Sequence, residues 1–231
     1  MSRVVAFGCS LTYGMALSDC HKSSTEAGPV PSKQAWPQLI ADQLGYACVN
    51  NSYPGSSNKR IWHAVATFNF KPGDIVFIQW THLGRWAVLK DKNSIVDIGL
   101  WYGNANPETK PYFDNLYAQY DDEIQTALFI NNADCILKSK GILCYHLLTE
   151  RRDKKLLTLA GHTVNHIPLY LDTEHRQRFP RALDKTHPGA ECHMEYARDI
   201  LNYLNIPTNI PKQKPMGFFE RKLKRFRGEI I

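Results

Sequence analysis

No stretch of this sequence stays apolar for the roughly 18 to 20 residues that a membrane span requires. Nor does a secretory leader precede the first strand-like run, which follows directly on Met1-Ser2-Arg3. The six cysteines (Cys9, Cys20, Cys48, Cys135, Cys144 and Cys192) form no C-x-x-C pair. Several sit in apolar segments, where a free thiol behaves as a small hydrophobe. The expectation is a cytoplasmic or otherwise reducing compartment. Internal repeats and low-complexity segments are also missing, and 43% hydrophobic with 11% aromatic residues suits a packed globule. A length of 231 residues fits a single α/β domain carrying insertions.

A charge excess is lacking from most of the chain as well. The net charge is +6, but residues 206–231 carry Lys212, Lys214, Arg221, Lys222, Lys224, Arg225 and Arg227 against only Glu220 and Glu229. The tail thus accounts for +5 and the body is near neutral, whereas a nucleic-acid enzyme is usually basic in its body. We therefore expect a domain over 1–205 and a basic tail over 206–231. From Gly217 the tail places Phe219, Leu223, Phe226 and Ile230 at helical spacing with basic residues between them, which predicts an amphipathic basic helix. Such a helix packs its apolar stripe on the body or on another subunit, or else meets an acidic partner or an anionic surface. The sequence does not set the oligomeric state.

Apolar runs at Arg3 to Gly8, Ala47 to Ser52, Asp74 to Trp80 and Gly141 to Leu148 read as buried parallel strands. Helical spacing covers Gln34 to Leu44, Asn58 to Phe70, Leu116 to Lys138 and Ala190 to Leu204. This alternation predicts an α/β fold with a mostly parallel sheet covered on both faces. Two insertions follow strand ends, Met15 to Ser32 and His82 to Asp114. The second carries Trp86, Trp101, Tyr102, Tyr112 and Phe113, which form either the wall of a site or a satellite core.

Gly8-Cys9-Ser10-Leu11-Thr12 begins where the first strand ends, which places the Ser10 hydroxyl at the carboxyl edge of the sheet. It is not a G-x-S-x-G elbow, because Thr12 replaces the second glycine. Alone, such a serine is as readily a turn or cap residue. Asp184-Lys185-Thr186-His187-Pro188 precedes the last helix. Pro188 suits a first helical position and holds His187 extended. An aspartate three residues before the histidine can fix its tautomer, leaving the other nitrogen to take a serine proton. A capping turn with a surface histidine is the bland alternative.

Together these segments resemble the first and last blocks of the SGNH (GDSL-like) hydrolases. The resemblance implies a flavodoxin-like three-layer α/β/α sandwich with about five strands, and a triad of Ser10, Asp184 and His187. It also implies serine esterase activity through an acyl-enzyme, with no cofactor. Acetyl or other small esters, including O-acylated carbohydrate, are the substrates it suggests. Asn51-Ser52-Tyr53-Pro54-Gly55 looks like the second block, whose glycine gives an amide to the oxyanion, so Gly55 takes that role. The third block departs from the pattern: Gln79-Trp80-Thr81-His82-Leu83-Gly84-Arg85 has no Gly-x-Asn-Asp, which leaves either Thr81, His82 or Arg85 as a substitute donor or a hole with only two donors. The Trp-Thr pair with a nearby arginine also looks like SGNH proteins of bacterial viruses. Two rivals remain: an inactive SGNH domain used as a binding or assembly module, and an acyltransferase built on the same triad.

Two further candidates weigh less. His162 and His166 have an H-x-x-x-H spacing that binds metal only on a helix, and Gly161 argues for a loop, so no metal site is expected. Cys9 adjoins Ser10 but lies where a buried thiol is usually packing.

Overall fold

The computed structural model describes residues 2–23, 26–91, 94–99, 110–161 and 164–217. Trp101, Tyr102, His162 and the expected basic helix beyond Gly217 lie outside the described residues.

In chain order the elements are β1 (Arg3–Phe7), α1 (Ser10–Tyr13), α2 (Trp36–Leu44), β2 (Ala47–Asn50), α3 (Asn58–Thr67), β3 (Ile75–Trp80), β4 (Arg85–Leu89) and β5 (Ile95–Gly99). Then come α4 (Lys110–Asn115), α5 (Gln119–Ser139), β6 (Leu143–Leu148), α6 (Lys155–Leu159) and α7 (Ala190–Tyr203). The main sheet has the order β2-β1-β3-β6 and is parallel throughout. The amide of His146 bonds the Asn165 carbonyl, and the Ile167 amide bonds the His146 carbonyl. Residues 165–167 thereby take a fifth strand position beside β6, as a single parallel bridge.

β1 shows why three layers form. Val4, Val5, Ala6 and Phe7 are all fully buried, and a strand alternates its side chains between faces. Val4 and Ala6 pack with Trp36 and Ile40 of α2 and Tyr196 and Ile200 of α7. Val5 and Phe7 pack on the other face with Ile61 and Val65 of α3 and Ile130 and Leu137 of α5. A strand apolar on both faces is stable only between two helical layers.

The insertion after β3 contains a structured element, the antiparallel hairpin β4–β5. Trp86 of β4 stacks on Tyr112 at 6.4 Å between centroids, and the Lys59 ammonium lies over the Trp86 ring. Residues 206–217 cross the body as an extended strap. Ile206 and Ile210 pack against the cluster of α2 and α7, Gln43 Oε1 accepts bonds from Thr208 and Asn209, and buried Met216 donates its amide to the Arg178 carbonyl.

Candidate active site

Ser10 owes its position to a close approach between chain segments. A Cβ on Gly8 would lie 2.0 Å from Thr12 Oγ1, so only glycine fits there. The Thr12 hydroxyl that fills the space donates to Gln79 Oε1 at 2.7 Å, and the fully buried Gln79 donates in turn to the Tyr196 hydroxyl. Asn50 Nδ2 donates to the Thr12 carbonyl at 2.8 Å. β2, β3 and α7 therefore all brace the turn that carries Ser10. Thr12 departs from the elbow pattern because its hydroxyl bonds Gln79 near the carboxyl end of β3. Ser10 opens the one-turn helix α1, so its amide has no acceptor within the helix. No other described group takes it.

The opposite side of the site is the turn before α7. Asp184 Oδ1 accepts the amides of Thr186 and His187, while Asp184 Oδ2 accepts from the Thr186 hydroxyl at 2.8 Å and faces His187 Nδ1 at 2.5 Å. This wrapping needs a left-handed residue between them, and Lys185 supplies it with φ at 61°. Burial alone would raise the Asp184 carboxyl, but the bonds from the His187 ring and from the His187 and Thr186 amides hold it well below the usual carboxylate range. His187 Nε2 lies 2.9 Å from Ser10 Oγ. The structure thus brings Ser10, His187 and Asp184 into one chain of contacts. Pro188 is not at the first helical position: α7 starts at Ala190 behind an extended Gly189, and Pro188 instead bridges to Arg181.

Close to His187 sits His193 on α7, which sequence reasoning passed over. Its Nδ1 accepts the Trp36 amide at 3.3 Å. Burial first, and then the neighbouring His187, push its pKa down to about 3, so it supports the site as a neutral ring.

The residues proposed for the oxyanion region fall in different places. Gly55, in a turn with φ at 79°, keeps its amide free of any described acceptor. The Tyr53 amide bonds the Gly8 carbonyl at 3.2 Å and ties this turn to the serine loop. Arg85 Nη1 reaches the Ser56 carbonyl at 3.4 Å, beside the Gly55 turn. Thr81 is clamped by Asn58, whose side chain accepts the Thr81 amide and donates to its carbonyl. His82 points to an acidic pair, with Nδ1 2.7 Å from Glu150 and Nε2 3.7 Å from Asp172. Among the described residues none of Thr81, His82 and Arg85 bonds Ser10 or His187. The hairpin is latched to the same turn through Asp97, which pairs with Arg60 and accepts the Ser57 amide.

His82, Glu150 and Asp172 gather closely enough to suggest a cation site. Yet the imidazole turns a different nitrogen to each acid, and Arg152 and Arg176 pair with the same two carboxylates. The donor set is already neutralised by the protein's own cations, which does not suit a metal. His166 lies in the extended bridge beside β6 and not on a helix. All six cysteines are free, with Cys9 buried among the residues packed between α2 and the sheet.

No protein-family model matches the sequence, and a search of curated proteins finds no match. Solved structures do share the architecture. TesA matches with a TM-score of 0.53 at 12% identity, over 88% of this chain and 98% of TesA. An extracellular lipase from Streptomyces rimosus matches at 0.50 and 13% identity, over 89% of this chain and 99% of the lipase. An acetyl xylan esterase from the rumen bacterium Butyrivibrio proteoclasticus matches at 0.54 and 11% identity; 88% of this chain covers 63% of that longer protein. With its parallel β2-β1-β3-β6 sheet between two helical layers, the chain has the fold of the SGNH hydrolases.

Proposed function

We propose that this protein is a serine esterase that hydrolyses short acyl esters, acetyl esters foremost, including those on carbohydrate hydroxyls. The observation that carries the reading is the Asp184–His187–Ser10 chain of contacts, with one imidazole nitrogen on the carboxylate and the other on the hydroxyl. In this reading His187 Nε2 takes the Ser10 proton as Oγ attacks the ester carbon, and Asp184 stabilises the imidazolium that forms. The negative oxygen of the tetrahedral intermediate is met by the unclaimed amides of Ser10 and Gly55. Collapse expels the alcohol, which takes the proton from His187. Water then repeats the sequence on the acyl-enzyme and releases the acid. A module used only for binding would not need an assembled relay, which favours the enzymatic reading over an inactive one.

The test is hydrolysis of p-nitrophenyl acetate and p-nitrophenyl octanoate by the wild type and by Ser10→Ala. The expected result is faster turnover of the acetate and a fall to background in the variant. Retained turnover in a clean Ser10→Ala preparation overturns the nucleophile assignment. Preference for the octanoate overturns the short-acyl one.

A further inference from the structure

A cavity lies beyond the ends of β3 and β6, and the relay makes no use of it. It has a volume of about 210 Å³ and is lined by Leu83, Tyr117, Gln119, Arg152, Asp153 and Lys155. Asp153 is only 4% exposed, and its carboxylate receives no hydrogen bond from any described residue. The cations beside it act on its charge without bonding it, since each holds another acid: Lys155 Nζ pairs with Glu123 at 2.6 Å, and Arg152 pairs with Glu150. The Asp153 oxygens are not sealed in like the orphaned buried atoms elsewhere in the chain, so they are open to a donor that enters the cavity.

We propose that this cavity is a binding site, separate from Ser10, for one neutral sugar ring that donates a hydroxyl to Asp153. The charges around the cavity select that chemistry. A cationic ligand would meet Arg152 and Lys155, and an anionic one would meet Asp153. A hydroxyl can donate to the Asp153 carboxylate while accepting from Lys155, Arg152 or the Gln119 amide, all of which line the same space. Leu83 and the Tyr117 ring offer apolar surface to the C–H face of the ring. The inference goes beyond the esterase reading and does not depend on it.

The test is saturation-transfer NMR with free glucose, free N-acetylglucosamine and methylammonium, on the wild type, Asp153→Ala and Ser10→Ala. At least one sugar receives transfer from the wild type and from Ser10→Ala. That signal weakens by about tenfold or more in Asp153→Ala, as loss of a charge-assisted hydrogen bond requires. Should Asp153→Ala fail to fold by near-ultraviolet circular dichroism, Lys155→Met takes its place with the same expectation. No transfer to either sugar, transfer unchanged in the cavity variant, or transfer to methylammonium in place of the sugars overturns the proposal. Loss of transfer in Ser10→Ala would move the sugar to the serine and overturn it equally. The esterase reading stands or falls on turnover, not on this signal.

Discussion

His187 Nε2 stands 2.9 Å from Ser10 Oγ although the two residues are 177 positions apart in sequence. Ser10 is held from the β1 side through Thr12 and Gln79, and His187 from the α7 side through Asp184. Asp184 is the residue on which both orientation and charge depend. Its replacement by asparagine keeps the shape of the turn but favours the wrong imidazole tautomer. We expect Asp184→Asn to lower kcat for an acetyl ester by about 10³- to 10⁴-fold with little change in KM. A loss of less than tenfold would remove Asp184 from the relay.

The same carboxylate sets an acid limit. Its folded pKa lies below the unfolded value because the ionised form accepts four hydrogen bonds from Thr186 and His187. A depressed carboxylate contributes stability that is fully present above its unfolded pKa, about 3.9, and is lost as pH falls from there towards the folded value. The Tm difference between wild type and Asp184→Ala should therefore be constant from pH 7 down to about pH 5 and shrink below about pH 4. A gap that widens on acidification would contradict the assignment.

Gly8 and Thr12 form a pair that can be tested as one. A Cβ at position 8 would collide with both Oγ1 and Cβ of Thr12, so Gly8→Ala should cost about 1–3 kcal/mol through overpacking and shift Ser10 away from His187. Removing the obstruction with Thr12→Gly should restore part of that loss in the double variant, though the carboxamide of Gln79 then lacks its donor. Additive losses in a double-mutant cycle of Tm and activity would show that the two positions do not communicate.

Much of this arrangement was legible in the sequence, for a physical reason. β1 is apolar from Val4 to Phe7 because both its faces are covered there, and the residue types at its exit and before α7 are those that a turn and a proton relay require. Each of the four strands had one end placed correctly and the other off by a residue or two, since a side chain's burial does not reveal where ladder bonding stops. The hairpin β4–β5 was read as loop, although the runs Arg85 to Leu89 and Ile95 to Gly99 stand on either side of the polar sequence Asp91-Lys92-Asn93-Ser94, a composition that signals a turn. Its Trp86 meets Lys59 and Tyr112, and its latch at Asp97 acts through Arg60 and Ser57, all of them distant in sequence. His82 was equally opaque, because its partners Glu150 and Asp172 come from segments that only the fold brings to it.

The strap over 206–217 separates two roles that the basic tail could combine. Ile206 and Ile210 partly bury themselves against the cluster between α2 and α7, and Met216 is buried where its amide meets the Arg178 carbonyl. Full burial of a side chain of this size contributes on the order of 1.5–3 kcal/mol, and partial burial less. Five of the seven tail cations (Arg221, Lys222, Lys224, Arg225 and Arg227) follow Gly217. A chain ending at Asn205 should therefore lose several degrees of Tm and bind a hydrophobic dye, while a chain ending at Gly217 keeps the Tm of the full protein. Sedimentation with phosphatidylserine vesicles at low and high salt completes the comparison, because attraction to an anionic surface is screened by salt whereas apolar packing is not. Equal destabilisation by both truncations would mean that the residues after Gly217 pack on the body too, and that the strap alone does not secure the α2–α7 face.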